Sequence, residues 1–324
     1  MSKAPTSAGR VPDAITDPVT GRRLNLLDYK AANVRASWLL ALVMMALLAS
    51  LGWLVGYAID PGIALVALVI AGVFGLGQWA VAYWASDTMV LNVAGARPAT
   101  QDEHRYLVNV SEAVAIGAGV PAPRVYVIDN PAPNAFATGR DPQHGTIAVT
   151  TGLMQVLDRQ ELEGVVAHEM AHIRNYDVRF MSMLAATVGA IVLLRDVVMR
   201  ALYFGGGRRR AGGSSGGGGR GQIIALILMV VVLVLAPLLA LALRMAVSRR
   251  REYLADATGA YITRNPEGLA SALEKLRDYR GSPMKVSDGV AHMFFTNPKA
   301  RLNATGAFAT HPPIQERISR LRRM

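Results

Sequence analysis

Long apolar stretches dominate the pattern of hydrophobic and polar positions along this chain of 324 residues. Two of them, at about 38–57 and 62–84, each reach the roughly 20 apolar residues that a helix needs to cross a bilayer. A third, at 223–247, is equally long, whereas a fourth, at 178–204, has a clean apolar core of only 15 residues. The pattern predicts a multi-pass membrane protein that is mainly α-helical, and it leaves open whether 178–204 crosses fully.

Polar segments between these stretches divide the chain into five expected parts. These are a mostly irregular cytosolic tail (1–36), a transmembrane hairpin (37–84), a first polar part (85–177), a second hydrophobic hairpin (178–247) and a second polar part (248–324). The second hairpin contains a Gly- and Arg-rich loop at 205–221, whose composition gives it no core of its own. The first apolar run begins only near Trp38 and is too long for a secretory signal peptide, so we expect a retained span.

The two polar parts carry short-range signals of both strands and helices. Three short strands are predicted, each bounded by turn residues: 125–128, 135–138 and 146–150. Asp158, followed three residues later by Glu161, predicts the N-terminus of a helix. Further helices are expected at 266–279 and 313–323. Together these elements predict one α+β domain that is assembled from the two polar parts.

The net charge of +11 can indicate nucleic acid, anionic lipid or a membrane protein with asymmetric loops, and the positions of the basic residues decide between them. Many flank apolar stretches: Arg22, Arg23, Lys30, Arg35 and Arg249–Arg251. The sequence has no basic helix interleaved with aromatic residues, so we expect no nucleic-acid partner. Because positive charges concentrate on cytosolic segments, the tail at 1–36 is expected in the cytosol and the turn at 58–61 outside.

The sequence His168-Glu169-Met170-Ala171-His172 lies in the helix predicted after Asp158 and combines residues that bind and use a metal ion. Because the two histidines are four residues apart, both imidazoles lie on one face of the helix, where two ring nitrogens can meet one Zn²⁺. Glu169 points beside the metal, where it can take a proton from an attacking water. The alternative is an ordinary helix with two exposed histidines.

A catalytic zinc needs a third protein ligand and one open position. The chain has no cysteine, so disulfides are excluded and a transition metal must use histidines and carboxylates. Glu252 is the best candidate, because Asp256 lies four residues later on the same helical face and could accept the second N–H of a ligand imidazole. Alternatively, Glu252 only balances the charges of Arg249–Arg251 at a membrane border. Spacing alone leaves both interpretations open.

Several separated motifs, in this order along the chain, resemble those of the HtpX-type bacterial membrane metalloproteases, which are relatives of the prenyl-protein (CAAX) endopeptidases. The principal ones are His168–His172, Glu252–Asp256 and Thr310–Ile318, and the segments Asn134–Gly139 and Ile147–Leu153 fit the same pattern. The resemblance extends from about the first span to the C-terminus. The N-terminal tail is longer than expected for this family.

The resemblance implies a zincin-like α+β metalloprotease domain with one Zn²⁺ per chain, bound by His168, His172 and Glu252, and with Glu169 as the catalytic base. It also implies that His311 approaches the metal, either to stabilise the oxyanion or to occupy the open zinc position; alternatively His311 is a loop residue ahead of a helix. The implied setting is the quality control of membrane proteins under stress, with unfolded or damaged polypeptides as substrates.

An extended substrate can add to the exposed edge of a protease sheet through backbone hydrogen bonds, which gives broad specificity. The strand predicted at 146–150 immediately precedes the motif helix, and we expect it to be such an edge strand, with Val149 and Thr150 against the substrate. Asn134 and Ala135 form a second candidate for the same contact.

The candidate ligands His172 and Glu252 flank the second hydrophobic hairpin, so they share one ion only if the chain between them crosses the membrane an even number of times. We favour two crossings, although this places the four arginines of the loop at 205–221 outside. The active site is then expected on the cytosolic side of the cell inner membrane, beside the lipid bilayer.

Three alternatives to this protease are considered. An intramembrane protease of the site-2 type conflicts with the charged residues of the motif helix, and a prenyl-protein endopeptidase is expected to have more spans. A catalytically silent zinc-binding scaffold does not explain an intact Glu169. The physiological substrates and the oligomeric state are not determined by the sequence.

Overall fold

A computed structural model describes residues 14–16, 21, 23–186, 249–282, 284, 286, 288–296 and 312–324. The described residues form two compact units. The first, called the sheet unit, draws on Met1–Arg35, Asp87–Ser182 and Ala246–Met324, and the second, called the apolar unit, draws on Ala36–Ser86 and Met183–Met245.

The apolar unit is built around a helical hairpin. Helix α1 covers Leu26–Ile59, a short 3₁₀ turn covers Pro61–Ile63 and helix α2 covers Ala64–Trp84. Two segments, Leu26–Leu54 and Pro61–Trp84, are long and apolar enough to cross a membrane, and only 12 % and 11 % of their most apolar windows are buried. Such low burial distinguishes these helices from the core helices of a globular domain.

The expectation of a mostly irregular tail at 1–36 is wrong for its described residues. Strands β1 (Ala14–Thr16) and β2 (Arg23–Asn25) pair in an antiparallel fashion, and helix α1 begins directly after them. At this start the side chain of Asn25 accepts a hydrogen bond from the backbone N–H of Leu27. Leu26 is buried against Leu254 and Ala257, so the polar beginning of α1 packs within the sheet unit.

The sheet unit contains a four-stranded mixed sheet with the order β3–β4–β6–β5. Its strands are β3 (Ala96–Pro98), β4 (Arg124–Ile128), β5 (Ala135–Thr138) and β6 (Thr146–Thr150). Strands β4 and β6 are parallel, and the other two pairings are antiparallel. The three predicted strands are confirmed, but β3 was not predicted. The expectation that β6 is an edge strand is wrong, because β4 and β5 pair with its two sides.

Further helices follow the hairpin in the described part of the chain. They are α3 (Ser86–Ala94), α4 (Gln101–Ala118), α5 (Thr151–Val156), α6 (Arg159–Arg174), α7 (described over 177–186), α8 (Arg249–Thr263), α9 (Pro266–Asp278), α10 (Asp288–Ala291) and α11 (Ile314–Leu321). The hydrophobic core unites residues of the sheet with α4, α6, α9 and α11, among them Leu107, Ile147, Val165, Leu269 and Ile318.

Helix α6 is central to the sheet unit and packs against α4, α8, α9 and β5. Its start has the predicted capping box, since Asp158 accepts from the backbone of Glu161 at 3.0 Å and Glu161 accepts from the backbone of Asp158 at 2.8 Å. A Cβ atom at Gly259 of α8 would lie 3.0 Å from the backbone nitrogen of His168. Glycine therefore permits the close approach of α8 to the middle of α6.

Most of the predicted second hairpin lies outside the described residues. This applies to the loop at 205–221, to the apolar stretch at 223–247 and to most of 178–204, of which 178–186 is described and helical.

Candidate metal centre

Helix α6 brings three of the predicted residues to one buried place. His168 and His172 are 1 % and 4 % exposed, and Glu169 is 2 % exposed. The Nε2 atoms of the two histidines are 3.2 Å apart, as expected for imidazoles separated by one helical turn. Both imidazoles therefore direct the same ring nitrogen to one point.

Helix α8 supplies Glu252 to the same point. Its carboxylate oxygens lie 3.8 Å from His168 Nε2 and 3.7 Å from His172 Nε2. One ligand atom from each of the three residues lies within 4.8 Å of the others. The tetrahedral coordination of zinc with bonds of about 2.0–2.1 Å requires ligand atoms roughly 3.3–3.4 Å apart, so these spacings suit a single ion.

The hydrogen bonds of the two Nδ1 atoms indicate that His168, His172 and Glu252 are suited to hold a metal ion. His168 Nδ1 lies 2.9 Å from Asp256 Oδ1, and His172 Nδ1 lies 2.8 Å from Asp177 Oδ2. Because a carboxylate only accepts, each Nδ1 carries a proton, and a ring in its neutral form turns the lone pair of Nε2 toward Glu252. Two converging lone pairs and a carboxylate form a set of donors that needs a cation.

Arg317 of helix α11 is the buried cation behind this centre. It is 1 % exposed, and its Nε and Nη2 donate to Asp256 at 2.9 and 2.7 Å, while Nη1 lies 3.6 Å from Glu252. The ring of Phe295 packs against both Arg317 and His168, at 4.9 Å in each case. Arg317 thus connects α11 to the side chains around His168 and Glu252.

The sequence of α11 contains a signal for the burial of Arg317. Ile314, Ile318 and Leu321 form the apolar stripe of α11, and Arg317 lies within that stripe. A charged residue in a buried stripe predicts a buried partner. The role of Asp177 was missed; it follows Tyr176, whose positive φ of 61° breaks the helical periodicity that would have related Asp177 to His172.

Burial and neighbouring charges shift the acid–base properties of the centre. Burial lowers the pKa of His168 to about 4. Burial alone would also lower the pKa of His172, but the hydrogen bond and charge of Asp177, together with the other carboxylates, raise it to about 9. Burial raises the pKa of Glu169 to about 7, and Glu252 adds to this effect. In the metal-free centre His172 is therefore protonated near neutral pH, and its positive charge lies where a metal ion would bind.

Strand β5 lies alongside Glu169 and carries the second predicted substrate contact. The backbone of Ala137 forms a hydrogen bond with Glu169, so the side of β5 that faces away from β6 is the side that meets the Glu169 carboxyl. On that side the backbone N–H of Phe295 donates to Ala135 at 2.8 Å. Asn134 exchanges hydrogen bonds of 3.0 and 3.1 Å with the backbone of Thr296.

The predicted substrate contacts of Val149 and Thr150 are not supported, because they depended on β6 being an edge strand. Val149 pairs with Val127 and with Ala135. The Thr150 hydroxyl accepts from the backbone N–H groups of Asn134 and Leu153, which joins β5 to the start of α5. His311 lies outside the described residues, and its predicted approach to the metal stays a prediction.

The chain is similar to several known proteins. The sequence model of peptidase family M48 matches residues 101–324. A protease HtpX homolog from Thermoanaerobacter pseudethanolicus is 45 % identical over 305 residues, which are 93 % of this chain and 98 % of that protein. Homologs of the same name from Streptococcus pneumoniae and Tropheryma whipplei are 41 % and 39 % identical, each over 92 % of this chain and over 100 % and 98 % of their own lengths. Among solved structures, the crystal structure of S. mikatae Ste24p aligns with 91 % of this chain and 67 % of its own, at 18 % identity and a TM-score of 0.46.

The chain therefore belongs to peptidase family M48, and the resemblance to the HtpX-type proteases is confirmed. It is a membrane metalloprotease, a hydrolase that acts on peptide bonds, and two apolar helices are long enough to anchor it. Its structure is mostly helical and includes a small mixed sheet.

Proposed function

We propose that this protein is a zinc-dependent endopeptidase of the bacterial inner membrane that hydrolyses unfolded or damaged membrane proteins at the cytosolic face. The observation that carries the zinc assignment is the convergence of His168 Nε2, His172 Nε2 and a Glu252 oxygen within 4.8 Å, beside a buried Glu169. Two imidazoles and one carboxylate are a ligand set of catalytic zinc that leaves one position open.

Bound zinc would act as a Lewis acid toward the scissile carbonyl and lower the pKa of a water molecule. Glu169 is the base: its pKa of about 7 in the metal-free centre lies near working pH, and a neighbouring cation favours the ionised form. The Glu169 carboxylate takes a proton from the attacking water and passes it to the leaving amine. Asp256 and Asp177 keep the two imidazoles neutral at Nε2 and fix their orientation.

Substrate binding is assigned to the side of β5 that faces Glu169, with Ala135 as the main-chain partner and Asn134 at the strand's start. A backbone-paired substrate is recognised through its extended main chain, which suits a protease acting on many unfolded polypeptides. Since Phe295 pairs with Ala135, substrate would replace this contact of the chain with itself. The cytosolic side is supported by the basic residues before the first span.

The proposal is tested with full-length protein purified in detergent and an unfolded test protein as substrate. Glu169→Gln should reduce cleavage by about 10²–10⁴-fold while the zinc content stays unchanged. Glu252→Ala should lose zinc together with activity. Glu163→Gln is the matched control, because this carboxylate on the same helix pairs at the surface with Arg159. Absence of zinc from the wild-type protein would refute the ligand assignment, and zinc without cleavage would favour a scaffold.

A further inference from the structure

We propose that Asn33, in the polar beginning of helix α1, is a positioning residue for the metal centre. It holds the carboxylate of Asp177 in the orientation that fixes the imidazole of His172. This inference rests on the proposed metal centre. The segment concerned precedes residues 101–324, the part of the chain that matches the family model.

The contacts of Asp177 show how the position is set. Its Oδ2 accepts from His172 Nδ1 at 2.8 Å, while its Oδ1 accepts from Asn33 Nδ2 at 2.6 Å and lies 3.0 Å from Arg251 Nε. Asp177 is 2 % exposed, so these side chains and not bulk water determine how the carboxylate lies. Asn33 and Arg251 hold Oδ1 in place, and Oδ2 accepts the hydrogen bond from His172.

Asn33 bridges Asp177 and Arg251, because an amide can both donate and accept hydrogen bonds. Its Nδ2 also donates to the backbone oxygen of Asn175 at 2.9 Å, and its Oδ1 accepts from Arg251 Nη2 at 3.0 Å. Asn33 is 5 % exposed. An alanine at this place would provide neither function, and an aspartate would bring a second negative charge against Asp177.

The local backbone explains why Asp177 needs external support. Helix α6 ends at Arg174, and Tyr176 adopts a left-handed conformation with φ 61°, so Asp177 lies beyond a sharp turn. Without Asn33, the Oδ1 atom of Asp177 would keep the Arg251 contact alone, and the carboxylate could rotate toward that guanidinium. The hydrogen bond to His172 would weaken, and the Nε2 lone pair of His172 would no longer be held toward the metal.

Loss of a residue that orients a metal ligand typically weakens metal binding by about 10–100-fold. The test is the zinc affinity of full-length Asn33→Ala in detergent, measured by competition with a chromophoric chelator, together with the visible spectrum of the Co²⁺-loaded protein. We expect weaker binding by about 10–100-fold, a shifted Co²⁺ spectrum, and a lower kcat with little change in KM. Asn109→Ala is the matched control, because Asn109 is an exposed helical asparagine on α4.

A double-mutant cycle separates positioning from general stabilisation. If Asn33 acts through Asp177, Asn33→Ala should weaken zinc binding much less in an Asp177→Asn background than in the wild type. Additive effects on zinc affinity, or an unchanged zinc affinity in Asn33→Ala, would overturn the proposal. If the alanine variant does not fold, the isosteric Asn33→Asp is used and the same direction of change is expected. Failure of the wild type to bind zinc would instead refute the proposed function itself.

Discussion

His168 and His172 direct their Nε2 atoms at each other across 3.2 Å. With both Nδ1 protons held by Asp256 and Asp177, the facing atoms are lone pairs that repel unless a proton or a metal ion lies between them. The surrounding side chains favour a cation between the two Nε2 atoms. Two buried aspartates fix the orientation of the rings, and the Glu252 carboxylate adds negative charge beside them. The arrangement is unfavourable when empty and favourable when a cation is present, which is the property expected of a metal centre.

Metal affinity should depend on pH because a proton and the metal compete for His172. The pKa of His172 is raised to about 9 in the metal-free protein, so the proton must leave before zinc binds at pH 7. The pKa of His168 is lowered to about 4, so this ligand is already neutral. We expect zinc affinity to rise about tenfold per pH unit between about 6 and 9. Chelator competition at several pH values measures the slope.

The stability of the metal-free protein should fall as the pH rises, opposite to the zinc affinity, and it serves as the control. A folded-state pKa raised above the unfolded value stabilises the protein fully below about 6.5, and this contribution is lost as the pH rises toward about 9. The thermal midpoint of metal-free protein should therefore fall across this range, whereas the zinc-loaded protein should lack that contribution. A zinc affinity independent of pH would contradict the assignment of His172 as the protonated ligand.

The buried ion pair between Arg317 and Asp256 should be essential for stability. Burial alone would raise the pKa of Asp256, but the charge of Arg317 and its hydrogen bonds outweigh burial and hold the pKa below its usual value. Arg317→Met would leave the carboxylate of Asp256 buried without its cationic partner, at a cost of about 3–5 kcal/mol. Denaturant unfolding of the zinc-loaded protein in detergent measures this loss of stability.

Arg322→Met is the matched control, because Arg322 also pairs with two carboxylates, Glu267 and Glu274, but at the surface. Its unfolding free energy should stay close to that of the wild type, since exposed ion pairs contribute little. Equal losses in the two variants would show that burial of Arg317 is not the cause.

Residues of the site that lie close together on one helix could be predicted from the sequence. His168 and His172 are related by one helical turn, and the capping of α6 follows from two residues three apart, so short-range rules were sufficient. Glu252 and Asp256 were found as a helical pair on α8, and the structure brings both to the histidines. For these residues, local periodicity already defines which side chains share a face.

The residues that were missed come together only through tertiary packing. Asp177 and Asn33 are far apart in the sequence, and neither shows a periodic signal. The error at β6 has the same origin, because a strand is an edge only if no distant segment pairs with it, and β4 and β5 both do. Strand β3 is short and ends in Pro98, so its pattern was too weak to predict.

The orientation of the hairpin can be tested because the chain has no cysteine. Ile63, in the turn between α1 and α2, is 43 % exposed, and Ile63→Cys should react with a membrane-impermeant maleimide in intact spheroplasts. Asn109→Cys on α4 should react only after the membrane is opened, since the protease domain is proposed to be cytosolic. Reaction of Asn109→Cys in intact spheroplasts would contradict the cytosolic placement.

Occupation of the β5 edge by the chain itself leads to the last prediction. Phe136 of β5 and Phe294 form an antiparallel bridge, and Phe295 bonds to the adjacent Ala135. Because the hydrogen bond lies beside this pair and not within it, the two Cα atoms should be about 4.5 Å apart, which is suitable for a disulfide. Phe136→Cys/Phe294→Cys would lock the segment to β5. If substrate must pair at this edge, the oxidised double variant should not cleave an unfolded protein, and reductant should restore cleavage.

The redox comparison separates blocked entry from damaged folding, because both states contain the same two substitutions. Zinc content should be equal in the oxidised and reduced forms, and the single variants Phe136→Cys and Phe294→Cys should be insensitive to reductant. Full activity of the oxidised double variant would show that substrate does not use the edge at Ala135. In that case the contact between Phe295 and Ala135 is a permanent part of the sheet, and the substrate strand must approach Glu169 from another direction.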